Sequence, residues 1–251
     1  MRLIINGDDF GITHACNLAL IDCYKSGVMT SASLMTNMPA AREAASVWEE
    51  NPGLSVGIHF CLTAGRPLTS VPSLIKEDGT FDKAILREKG RADLSEIRQE
   101  LQAQYDRFVE LTGRQPDHIN SHHGIELIDG CSEILEEFSR KYDIPLRSFI
   151  TGANCDVPFE TAANRFAQID HFCEPEDMVQ LFQKSDVSSD NAFELAAHPG
   201  YVDKELVRLS SLTTGRAYDA ACFLSPRLKS WIEDNHIERI SYKQLKRKEN
   251  E

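Results

Sequence analysis

The chain has 251 residues and a formal charge of −12 at neutral pH, with 27 basic against 39 acidic side chains. That balance argues against nucleic-acid binding, which needs a basic face. No apolar run is long enough to cross a membrane. The length suits one domain with a substantial core, and the N-terminus has no secretory-signal pattern. Seven cysteines without a CxxC pair predict reduced thiols in a cytoplasmic protein.

Strand-like and helix-like stretches alternate. Residues 2–7 read as a buried strand, followed by a helix over 14–26 that stops at Gly27. Ser31 to Thr36 is a second β-type run, Pro39 opens an Ala-rich helix to about Glu50, and Leu54 to Phe60 is a third strand. The stretch from about 63 to 90, with Pro67, Pro72 and Gly79, reads as a loop-rich insertion of the kind that borders a cleft. Leu94, Ile97, Leu101, Tyr105 and Phe108 recur at helical spacing, and Gly113 ends that helix. A strand leading to His122 comes next, then a helix over 132–142 and a strand from Pro145 to Ile150 carrying Arg147. A short strand near Ile169, a helix near 178–184, a strand from Phe193 to Ala197, a helix from Pro226 to Glu233 and a strand from Arg239 to Tyr242 complete the pattern. Such alternation predicts an α/β fold with a mainly parallel sheet, closed as a (β/α) barrel-like, TIM-like single domain that is either complete or distorted. A doubly wound open sheet is the alternative, against which neither GxGxxG nor GxxxxGK[ST] occurs.

The polar residues that stand out lie at the ends of these strands. Asp8 and Asp9 follow the apolar run Leu3-Ile4-Ile5. Adjacent carboxylates repel, and a bound cation relieves the repulsion; capping of the next helix is the competing reading. His59 ends the third strand. In 118–123, His118, Asn120 and His122 would share one strand face, with His123 on the other. One Asp and two His make a three-ligand metal site with open positions for water and substrate. His198, before Pro199-Gly200, is placed to protonate a leaving group, and Arg147 to orient an acidic partner. His14, His171 and His236 lack supporting neighbours and read as structural.

With these residues placed, the sequence closely resembles the YdjC/ChbG family of carbohydrate deacetylases. The resemblance rests on Asn6-Gly7-Asp8-Asp9-Phe10-Gly11, Thr30-Ser31 with Asn37, Gly57-Ile58-His59-Phe60 with Leu62-Thr63, His118-Ile119-Asn120-Ser121-His122, Leu146-Arg147 and His198-Pro199, in order. It implies a (β/α) barrel-like fold and a divalent metal. It implies too that acetyl groups are removed from acetylated sugars, notably the N-acetylglucosamine units of chitooligosaccharides. By that resemblance Asp9, His59 and His122 would be the metal ligands, Asp8 the general base, His198 the acid and Arg147 its neighbour in the site. The chain departs from the family at Gly124 and Glu126, which stand in place of histidines, and at Asn120, where an aspartate is common.

The expected chemistry is metal-dependent amide hydrolysis of a small acetylated oligosaccharide. The histidines suit zinc, while magnesium is the metal commonly associated with the family, so both stay open. His123 replaces His122 as ligand if the strand ends early. Ester or phosphoester hydrolysis is a competing reading, and a non-catalytic sugar-binding protein on the same fold is another. The long irregular segments suit a subunit interface, which would make a homodimer.

Overall fold

The computed structural model describes residues 2–147, 157–166, 180 and 192–248, with 163–166 described by their backbone alone. Among them, seven strands form one sheet: β1 (Arg2–Phe10), β2 (Ser31–Leu34), β3 (Ser55–Phe60), β4 (Ile119–Ser121), β5 (Ala163–Phe166), β6 (Ala192–Ala197) and β7 (Glu238–Arg239). The order is β4-β3-β2-β1-β6-β5, with β7 beside the start of β1. Every pairing is parallel. The helices are α1 (His14–Lys25), α2 (Ala41–Glu49), α3 (Leu94–Thr112), α4 (Cys131–Tyr142), α5 (Lys204–Leu209), α6 (Thr214–Leu224) and α7 (Pro226–Asp234). None of them is long and apolar enough to cross a membrane.

Strand alternation sorts the residues onto two faces. Leu3 and Ile5 of β1, Ala32 and Leu34 of β2, Val56, Ile58 and Phe60 of β3, and Phe193 and Leu195 of β6 join one apolar core with the helices. In that core Phe60 meets Phe138 edge-on at 5.4 Å. The Trp48 indole donates to Leu54 O at 2.9 Å. The opposite face carries Asn6, Asp8, Ser31, Ser33, His59, Asn120 and Glu194, all buried. Arg147, next to the parallel bridge Ile119–Leu146, reaches both Asp8 of β1 and Glu194 of β6. The sheet is therefore curled into a half-barrel whose concave side is polar, unlike the branched apolar filling of a regular TIM barrel. Gly57 allows this curl to be tight: a Cβ there would lie 2.4 Å from the His118 ring.

The 63–90 stretch is held to the barrel rather than free. Glu100 on α3 accepts from the Leu68 and Thr69 backbone N–H groups at 2.9–3.1 Å and from the Thr69 hydroxyl at 2.7 Å. Val71, Leu74, Phe81 and Ile85 are buried.

Three expectations change. The strand from Pro145 reduces, among described residues, to a single bridge at Leu146; 148–150 lie outside them. The strand from Arg239 stops at once, because a capping box at Ser241 turns the chain into a 3-10 turn over Tyr242–Gln244. Helices α5 and α6 fill a segment in which the sequence pattern showed none. The strand near Ile169 and His171 lie outside the described residues, as does the 178–184 helix except for helical Gln180.

Candidate active site

In a regular strand Asp8 and Asp9 would face opposite sides of the sheet. The β1–β2 register shifts between Gly7 and Phe10, and Asp9 takes a left-handed backbone, φ 65°. This bulge turns the second carboxylate back to the same end of the barrel as the first. Neither caps α1, whose first turn is bonded by the Thr13 hydroxyl to Cys16 N at 3.2 Å. The helix-cap reading of the pair is thereby removed.

Asp8 sits on the barrel floor. Oδ1 accepts from Asn6 Nδ2 at 2.7 Å, Ser33 Oγ at 3.0 Å and Arg147 Nη2 at 2.9 Å; Oδ2 accepts from Arg147 Nη1 at 2.7 Å. Arg147 also bonds Glu194 Oε1 through Nε at 2.9 Å, and the Tyr242 hydroxyl donates to Glu194 Oε2 at 2.5 Å. Burial by itself would raise the pKa of Asp8, but the Arg147 guanidinium, with His59, outweighs it and holds the carboxyl well below its usual range. For Glu194 the balance reverses, and burial wins over Arg147 to raise it.

Asp9 sits at the rim, where a cleft of about 850 Å³ opens past it between His122, His123, His198, Arg216 and Lys83. That volume suits a small-molecule ligand. Oδ1 of Asp9 lies 3.1 Å from His59 Nε2 and 4.0 Å from His122 Nε2; Oδ2 lies 3.9 Å from His198 Nε2. Arg216 of α6 donates to Oδ2 at 2.6 Å and is itself anchored through Nε to Leu212 O at 2.9 Å. Burial raises the Asp9 pKa, yet Arg216 and the facing histidines bring it well below the usual value. Burial lowers His122 and His198, only partly offset by Asp9. For His59 the two aspartates overcome burial and raise it.

His122 is the inward histidine: its Nδ1 meets the Thr63 hydroxyl at 2.8 Å while its Nε2 faces Asp9. His123 has a left-handed backbone, φ 60°, and lies against the His122 ring at 3.7 Å, with Nδ1 3.0 Å from Thr63 Oγ1 and Nε2 3.2 Å from Lys83 Nζ. Burial and Lys83 lower it to about 4. His118 shares the face of Asn120 but lies deeper, stacked on Tyr242 at 3.8 Å, with neither ring nitrogen bonded. Exposed His14 pairs with Glu43 at 2.6 Å.

One carboxylate oxygen and two imidazole Nε2 atoms thus converge. Two of them, Asp9 Oδ1 and His59 Nε2, are buried without a hydrogen-bond partner. Each has only the other, 3.1 Å away, and a ligand between them would complete both. A carboxylate with two imidazoles is a donor set for a divalent ion with open positions. Among the described residues, no three ligand-type side chains are already gathered tightly enough to hold an ion; His122 stands farthest from Asp9.

Arg216 and Glu194 are site residues that sequence reasoning missed, and Thr63 entered it as part of a motif without a role. Glu194 left a signal, being a charge inside the apolar run Ala192–Ala197. Arg216 left none, because α6 has no clear apolar periodicity and its partner Asp9 is 207 positions away.

Comparison with known proteins adds four findings. The family model for YdjC-like protein matches residues 2–234. Carbohydrate deacetylase 2 of Listeria innocua is 31% identical over 256 residues, covering 99% of this chain and 100% of that one. The chitooligosaccharide deacetylase of Yersinia enterocolitica is 33% identical over 242 residues, 92% of this chain and 94% of that one. Among solved structures, an Enterococcus faecalis protein proposed to be a cellobiose-phosphate cleavage protein superposes with a TM-score of 0.84 at 30% identity, covering 96% of this chain and 97% of that one.

Proposed function

The chain belongs to the YdjC-like protein family, and from that premise we propose that it is a divalent-metal-dependent hydrolase that removes the acetyl group from N-acetylated sugars of the chitooligosaccharide type. The observation that carries the reading is the convergence of Asp9 Oδ1, His59 Nε2 and His122 Nε2 at the mouth of a sugar-sized cleft, the first two buried with no partner beyond each other. Relatives named as carbohydrate and chitooligosaccharide deacetylases supply the substrate class.

Asp9, His59 and His122 would hold the ion, magnesium or zinc. Bound there, a divalent ion polarises an acetyl carbonyl and acidifies water. Asp8 is the base: its Oδ2 carries one hydrogen bond against four on Oδ1, so Oδ2 has the capacity to take a proton. Arg147 fixes that carboxylate through two hydrogen bonds and keeps it ionised. His198, whose Nδ1 has no partner, protonates the departing amine. Arg216 holds the far oxygen of Asp9, leaving Oδ1 toward the histidines. Cys16, Cys23, Cys61 and Cys131 are buried thiols, in keeping with a reducing cytoplasm.

The test is acetate release from diacetylchitobiose by metal-stripped protein resupplied in turn with Mg²⁺, Zn²⁺, Mn²⁺ or Co²⁺. Metal-dependent acetate release is the expected result. No release with any ion, from protein shown to bind one, contradicts the substrate assignment. A phosphoester hydrolase would release phosphate instead, and phosphate without acetate would select that reading.

A further inference from the structure

Asn120 lies between the floor and the rim, in contact with groups of both. His59 Nδ1 is 2.6 Å from it on one side. On the other, Arg147 Nη2 and Nη1 lie at 3.0 and 3.2 Å. An amide offers one acceptor oxygen and one donor NH2, so its two orientations serve different partners. In the first, the oxygen accepts from His59 Nδ1–H while the NH2 reaches Ser33 Oγ at 3.0 Å and Asp8 Oδ1 at 3.4 Å. That NH2 then abuts the Arg147 guanidinium, donor against donor. In the second, the oxygen accepts from Arg147 and from Ser33 Oγ, and the NH2 donates to His59 Nδ1 at 2.6 Å and Ile58 O at 3.1 Å.

The choice decides which nitrogen of His59 carries the proton. With the oxygen toward His59, Nδ1 is protonated and Nε2 presents a lone pair. With the NH2 toward His59, Nδ1 accepts, and in the neutral ring the proton sits on Nε2, aimed at Asp9 Oδ1 3.1 Å away. Only the first arrangement lets Nε2 ligate a cation. The second satisfies every group around the amide.

We propose that Asn120 is a positioning residue that selects between a metal-competent and a metal-excluding tautomer of His59, so that ion binding must turn the amide against Arg147. The proposal rests on the reading of Asp9, His59 and His122 as ligands. A carboxylate at position 120 would accept from His59 Nδ1–H and from Arg147 together, removing the conflict.

The experiment pairs two readouts on wild type, Asn120→Asp and His59→Ala. In metal-free, ¹⁵N-histidine-labelled protein at alkaline pH, where imidazole is neutral, NMR should show His59 as the Nε2–H tautomer in wild type and as the Nδ1–H tautomer in N120D. In chelator competition N120D should bind Zn²⁺ more tightly by about 10–100-fold, the range over which groups behind a ligand tune affinity. An Nδ1–H tautomer in metal-free wild type overturns the proposal, and that measurement stands even if N120D does not fold. Tighter binding with an unchanged tautomer also overturns it, since added charge would then account for the gain. H59A separates the two readings: wild-type affinity in H59A removes the ligand assignment, whereas lost affinity in H59A with an unaltered N120D removes the proposal alone.

Discussion

Asp8 and Asp9 are neighbours in the chain but belong to two regions with opposite accounting. The floor around Asp8 is closed: Asn6, Ser33, Arg147, Glu194 and Tyr242 form a continuous buried network in which the charges are paired. The rim around Asp9 is open. Its backbone is left-handed, and Asp9 Oδ1, His59 Nε2 and His198 Nδ1 are buried without hydrogen bonds. A closed network fixes geometry, whereas an open one stores unmet bonding capacity for a ligand. The contrast teaches that the floor holds the fold in place and the rim is where an ion and substrate complete the structure.

The largest effect should come from breaking the floor. Arg147→Met leaves Asp8 and Glu194 buried without their counter-charge and should cost about 3–5 kcal/mol in urea unfolding. At the rim, His122→Ala should cost the metal-free protein only about 1 kcal/mol but remove more metal affinity than the roughly 10–100-fold of an outer-shell change. Equal stability losses at the two positions would erase the distinction between the regions. Thr63→Val keeps the shape and deletes the hydroxyl behind His122, so metal affinity should fall about 10–100-fold and recover in Thr63→Ser; isothermal titration checks both.

A further effect concerns pH. Burial, with Arg147, holds His118 well below the ordinary histidine value. Below about pH 6.5 the unfolded chain binds a proton that the folded chain refuses, so stability falls as the pH drops, by up to about 1.4 kcal/mol per pH unit from this group. Above that pH the group contributes no slope. Thermal melts of EDTA-treated protein should show this acid-side loss, and His118→Phe should make it shallower.

Much of this was legible in the sequence, for identifiable reasons. Short apolar runs located β1 and β3, which are buried on both faces, and apolar positions with a glycine stop located α1 and α3, all to within a few residues. The family resemblance stands over nearly the whole chain. The shared face of His118, Asn120 and His122 followed from alternation, but their depths did not: His118 stacks below on Tyr242, and His122 lies just beyond the end of β4. Alternation also misplaces Asp9, whose direction comes from a bulge that has no marker in Gly7-Asp8-Asp9-Phe10. Arg216 was hidden because an ion pair between distant positions leaves no local periodicity. The metal-ligand and catalytic roles proposed for Asp8, Asp9, His59, His122, Arg147 and His198 await experiment.

The most direct test of the division between floor and rim is metal content measured beside turnover in Asp8→Asn and Asp9→Asn. The account predicts that D8N retains a full equivalent of metal yet releases no acetate from diacetylchitobiose, while D9N loses the metal itself. A D9N protein that still binds metal as wild type does, or a D8N protein that still turns over, would contradict it.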